Sequence, residues 1–174
     1  MDFYFIFVQL IGLVAWFILV LSYYRKNTNK ILVFHIIATI LYAIHYLLLN
    51  AYSGLFISVL TIIINYGYYK TNKDKYIFLA SIPFYFLIAF FSYGNFIDLL
   101  PIYASIVDSY VLTKKKDVVL KGSVISYGLW IIYDFTVKSY SGVITDCLLV
   151  ISNIFILRHS KDMKKVIKKI KRFT

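Results

Sequence analysis

A chain of 174 residues that is 61% hydrophobic and 16% charged has more apolar surface than one soluble core of that length can hide. Its acids are eight Asp with no Glu, and its nineteen Lys and Arg gather between long apolar stretches. The pattern excludes a water-soluble globule, and basic groups split among short loops and a tail form no continuous stripe for nucleic acid despite a net charge of +11. The expected surroundings are a lipid bilayer, with anionic phospholipid as the counter-charge.

In chain order, Met1-Asp2-Phe3-Tyr4 lacks the positive leader of a secretory signal, and the apolar run after it is too long for a signal core. We read that run as a retained helix. A hydrocarbon layer of about 30 Å takes about 20 helical residues, somewhat fewer where polar flanks reach the interface. Seven segments qualify, at 3–24, 31–49, 55–69, 76–91, 96–112, 118–137 and 143–157. They are continuously apolar, whereas the strands of a spanning barrel would alternate, so an all-α integral membrane protein is expected.

The loops Arg25-Lys26-Asn27-Thr28-Asn29-Lys30, 70–75 and Lys114-Lys115-Lys116 alternate with nearly uncharged turns at 50–54 and 93–95. Cytoplasmic loops are the basic ones, which places the amino terminus outside and the carboxyl terminus in the cytoplasm of a multi-pass protein. Lys138 alone among the basic residues then falls outside. In the tail, Met163, Val166, Ile167 and Ile170 share one helical face among lysines, so the tail either lies on anionic lipid or is a solvated segment that enforces topology. Cys147 has no intrachain partner for a disulfide.

Sliding the chain against itself by 88 residues superposes Tyr52-Ser53-Gly54 on Tyr140-Ser141-Gly142 and Asn65 on Asn153. Ile44, Leu60 and Ile63 then match Ile132, Leu148 and Ile151, and Tyr42 faces Trp130. Two parallel copies of three helices need one extra crossing between them. The expected organisation is therefore a first three-helix repeat over 1–70, a linker helix over 71–93, a second repeat over 94–158 and a basic cytoplasmic tail over 159–174.

Gln9, Gly12 and Ser22-Tyr23, His45-Tyr46-Leu47-Leu48 before Ala51-Tyr52-Ser53-Gly54, and Trp130-Ile131-Ile132-Tyr133 before Ser141-Gly142 resemble the bacterial inner-membrane family typified by YgjV, a distant relative of the PQ-loop, SWEET and SemiSWEET group. The resemblance implies a SWEET-like arrangement in the inner membrane. From the sugar-carrying relatives it implies a central pocket lined by an asparagine on the third helix of each repeat, Asn65 and Asn153, and by Tyr42 and Trp130 on the second helices. The chain departs from that group in having no Pro-Gln dipeptide and a lone Pro101 on the fifth helix.

Counted from the ends of the apolar runs, both amides lie roughly 16 Å from the outer surface and can share a depth with the two rings. Two amides and two flat rings suit a small neutral polar solute, while the competing reading has each asparagine bonding across a helix interface. Asp134 and Asp146 fall near the outer ends of their helices, as a polar vestibule or coupling pair; Asp108 is expected to reach the interface or pair with Lys114. His35 and His45, ten residues apart, fall on different faces of one helix and make no metal pair. No catalytic motif, cofactor fingerprint or metal site emerges, so a nonenzymatic carrier of an unknown small molecule is expected, with a noncatalytic scaffold or accessory subunit as the alternative.

Overall fold

The computed structural model describes residues 3–23, 25, 27–71, 74–111, 114 and 116–170, the side chains of 23, 28, 74, 116, 117 and 160–170 excepted. Seven α-helices and no strand are found among them: α1 (Phe3–Tyr23), α2 (Thr28–Leu48), α3 (Tyr52–Thr71), α4 (Asp74–Ser92), α5 (Leu100–Val111), α6 (Lys116–Thr136) and α7 (Tyr140–Ile170). A 3-10 turn, Phe96–Leu99, leads into α5. Local chemistry sets several of these ends. The Asn27 side chain accepts from the amides of Asn29 and Lys30 to start α2, and Asn95 and Asp98 form a reciprocal capping box before α5. Pro101 stands in the first turn of α5, where a missing N–H leaves nothing unpaired.

Five helices, α1, α2, α4, α6 and α7, are long and apolar enough to cross a membrane. The other two of the seven expected spans fall short for a physical reason. α3 buries Ser53, Ser58 and Asn65, and α5 has twelve residues, seven of them buried. Helices walled by other helices need not be apolar all round, since protein meets their polar groups. α7 runs unbroken for 31 residues, so the backbone of the basic segment prolongs a span as far as Ile170. The expected lipid-facing stripe of Met163, Val166, Ile167 and Ile170 lies outside the described side chains.

The helices pack as a closed ring in the order α1, α2, α3, α5, α6, α7 and back to α1, with α4 outside it against α3 and α5. Polarity is inverted relative to a soluble protein. Phe3, Phe86, Phe90, Phe91 and Phe155 are exposed on the outside, while thirteen of the described polar side chains, among them Ser22, His45, Asp134 and Thr145, are buried within. Such a body is stable only where hydrocarbon is the solvent. One apolar cluster joins α3, α4 and α5 through Ile57, Leu60, Ile64, Tyr68, Tyr85 and Ile102.

The turns α2–α3 and α6–α7 are the same structure. Each ends its helix on a left-handed residue, Asn50 at φ 56° and Lys138 at φ 60°. Each makes the paired bonds of a Schellman motif: Ala51 N–H to Tyr46 C=O (2.9 Å) and Asn50 N–H to Leu47 C=O (3.0 Å), then Ser139 to Asp134 (2.8 Å) and Lys138 to Phe135 (3.4 Å). Every partner is displaced by 88 residues, the offset seen in the sequence. A lysine in the left-handed region is strained by about 1 kcal/mol, which glycine would relieve. Lys138→Gly should therefore stabilise the protein by about that amount, and Asn50→Gly by less because asparagine tolerates the region better. Thermal unfolding of the two variants in the same detergent checks the order.

Candidate functional site

The ends of α2 and α6, the starts of α3 and α7 and the start of α1 meet at one end of the ring, here the turn end; the opposite end carries the basic connections. At the turn end neighbouring helices supply the caps that α3 and α7 lack. The Tyr133 hydroxyl, fully buried, accepts from both Gly54 N–H and Ser53 Oγ at 2.9 Å. Gln9 accepts from Ser141 N–H and donates to Lys138 C=O, each at 2.9 Å. These satisfy helix-start amides that would otherwise be unpaired in an apolar medium.

Three further bonds tie the helices together here. Tyr46 donates to Asp134 Oδ1 at 2.9 Å, linking residues 88 apart in the chain. His45 Nδ1 lies 2.8 Å from Val8 C=O and Nε2 lies 2.9 Å from Ser139 Oγ. A carbonyl can only accept, so Nδ1 donates, and in the neutral imidazole Nε2 accepts from the serine. Close approach depends on Gly54 and Gly142: a methyl on the first would meet the rings of Tyr46 and Tyr133 at 3.0 Å, and on the second would collide with the Asp134 carboxyl. The result is a continuous polar seal.

Beneath the seal lies a cavity of about 170 Å³. Twelve of its sixteen described lining residues fall into six pairs offset by 88: Thr39 and Tyr127, Tyr42 and Trp130, Tyr46 and Asp134, Ile57 and Thr145, Ser58 and Asp146, Thr61 and Leu149. Leu19, Ser105, Asp108 and Gly142 complete the wall. Tyr46, Ile57, Ser58, Asp134 and Thr145, nearest the turn end, are buried; Thr39, Thr61, Tyr127, Leu149 and Leu19, farther from it, are half-buried. Rings dominate one side, with Tyr46 stacked on Trp130 at 5.7 Å and on Tyr42 at 6.5 Å between centroids.

Of the four expected pocket residues, Tyr42 and Trp130 line the cavity and Asn65 and Asn153 do not. α3 and α7 begin at Tyr52 and Tyr140, three residues before the apolar runs suggest. Both amides consequently lie about 20 Å from the turn end, while the two rings lie about 9 Å from it. Asn65 and Asn153 share the faces of Ser58 and Asp146 but stand two turns closer to the basic end. Ser58 and Asp146 hold the positions expected of the amides.

The acids also differ from expectation. Asp134 is 1% exposed and tied into the seal, so it borders no open vestibule, and Asp146 faces the cavity. Asp108 lines the cavity too, accepting from Ser126 Oγ at 2.6 Å. Lys114, its expected partner, instead sits 4.4 Å from the centre of the Tyr110 ring. Gln9 and His45 carry no sign of their bonding role in the local sequence, since each bonds across helices far apart in the chain.

Gln9, Gly12, His45, Tyr46, Ser53, Gly54, Tyr133, Ser141 and Gly142, which converge at the seal, are among the residues on which the resemblance to a known family rests. A family model described as a bacterial inner membrane protein, Imp-YgjV, matches residues 6–164. The chain belongs to the YgjV family of bacterial inner-membrane proteins. No curated protein and no solved structure matches it. Membership and the five span-competent helices make this YgjV-family chain a multi-pass inner-membrane protein.

Proposed function

We propose that this YgjV-family protein is a carrier of a small solute, built as two parallel three-helix repeats, α1–α3 and α5–α7, joined by α4 in a SWEET-like manner. The observation that carries the reading is the cavity between the two bundles, whose wall is made mostly of residues in equivalent positions of the two copies. Equivalent walls suit a site exposed in turn to either side as one bundle rocks against the other. The duplicated Schellman turns and the matching ring contacts support the repeat.

Arg25, Lys30, Lys70, Lys75 and Lys114 lie toward the basic end, with Lys138 at the turn end. By the bias of basic residues toward the cytoplasm, the turn end faces outward and both the sealed arrangement and the half-buried lower wall correspond to an inward-facing state. The amides of Asn65 and Asn153 then stand on the cytoplasmic approach to the site.

Alternation predicts two-sided access. In a Cys147→Ser background, Ser58→Cys and Leu149→Cys should each react with a membrane-impermeant thiol reagent from both faces of oriented vesicles, faster from the face carrying the basic loops. Modification from one face alone would mean a fixed bundle and would favour a noncatalytic scaffold.

A further inference from the structure

The wall of the cavity is chemically lopsided. Where the first bundle places Tyr46 and Ser58, the second places Asp134 and Asp146, and Asp108 adds a third carboxyl from α5. Among the described residues, the lining includes no Lys, Arg or His and no amide. An anion entering it would meet carboxyls with no compensating charge, and the carboxyls alone would equally suit a metal ion. Among the described residues, however, no three such groups converge to hold a metal.

The remaining wall decides between cations. Trp130, Tyr42, Tyr46 and Tyr127 add four aromatic rings to the wall of the same volume, and Trp130 and Tyr42 share the depth of Asp146. Ring faces attract an alkylated ammonium, whose charge is spread over an apolar shell, while a carboxylate supplies the counter-charge. A cavity of about 170 Å³ is close to the ~150 Å³ engineered cavity that takes benzene, so the occupant has roughly six to eight non-hydrogen atoms.

We infer that the solute is a small organic cation of the alkylammonium class, held between the carboxyls of the second bundle and the rings of Tyr42 and Trp130; the inference rests on the carrier reading for its transport but not for its binding. The asymmetry between the copies gives the cation a preferred side. It would lie against α6 and α7, with the hydroxyls of Ser58 and Thr61 opposite.

Trp130 is a built-in reporter, and Trp16→Phe leaves it as the sole tryptophan. The full chain in a maltoside detergent, which carries no ammonium group, is titrated with choline, with its neutral isostere 3,3-dimethylbutan-1-ol and with the anion 3,3-dimethylbutanoate at constant ionic strength. Choline should change the Trp130 emission saturably, and the other two should bind at least about tenfold more weakly. Asp146→Asn should weaken choline by about tenfold or more, and Asp146→Glu should keep the preference for the cation. Equal binding of the isostere, unaltered choline binding in a folded Asp146→Asn protein, or no saturable response to choline would each overturn the inference. Two-sided thiol access alongside any of these would leave the carrier reading standing, whereas choline binding with one-sided access would refute the carrier and keep the site.

Discussion

Tyr133→Phe should lower the midpoint of thermal unfolding by roughly 5–15 °C, although it deletes a single oxygen. The hydroxyl is the shared acceptor for Gly54 N–H and Ser53 Oγ, and its residue is 0% exposed. An unsatisfied buried donor costs about 1–3 kcal/mol, so losing the acceptor of two costs about 2–4 kcal/mol. At roughly 2–4 °C per kcal/mol for a chain of this size, the shift is easily read from a melt in detergent. Tyr103→Phe removes a hydroxyl from a residue that is 50% exposed and should stay within about 1–2 °C. Equal melting of the two variants would mean that water substitutes for Tyr133 and that the turn end is not dry.

A second result tests close approach, and its sign is informative. Alanine is favoured over glycine inside a helix by about 0.8–1 kcal/mol, so propensity alone has Gly142→Ala stabilise the protein. The methyl would instead collide with the Asp134 carboxyl and stand 2.6 Å from Ser139 Oγ. Relieving that collision means moving the carboxyl off Tyr46, and overpacking together with a loosened buried bond should destabilise by about 2–4 kcal/mol. Gly128→Ala is the counterpart, because among the described residues nothing lies within 4 Å of a methyl there. It should gain about 0.5–1 kcal/mol. A Gly142→Ala protein as stable as Gly128→Ala would show that α6 and α7 do not need their present separation.

Helix positions were legible because each apolar run is bounded by charges or turn residues: α1, α2, α4 and α6 fall within about three residues of the expected spans. Depth was not. Tyr52-Ser53-Gly54 and Tyr140-Ser141-Gly142 are too polar to count as apolar span, yet they are helical because Tyr133 and Gln9, from other helices, satisfy their amides. Three extra residues at the start of α3 and α7 lengthen the path to Asn65 and Asn153 by about 4.5 Å. The amides pass below the cavity for that reason, and residues two turns earlier take the wall.

The 88-residue offset was the more durable signal. Its identities were few, but the turn hydrogen bonds and the cavity pairs both obey it. Where residues 88 apart match, at Ile44 and Ile132 or Ile63 and Ile151, they face outward. Where they diverge, at Ser58 against Asp146 or Tyr46 against Asp134, they meet the cavity, so the chemistry of the site resides in the mismatches that an identity search discards.

In hydrocarbon, squeezing apolar side chains together releases no water, so cohesion between helices comes from polar bonds and from backbones drawn close by small residues. Much of both is found at one end of the ring, from Gln9 to Gly142. A bundle fastened in this way is stiff at that rim, like a purse held by its clasp. Any motion that parts the fastened rim has to break several bonds together, so the turn end opens all at once or not at all.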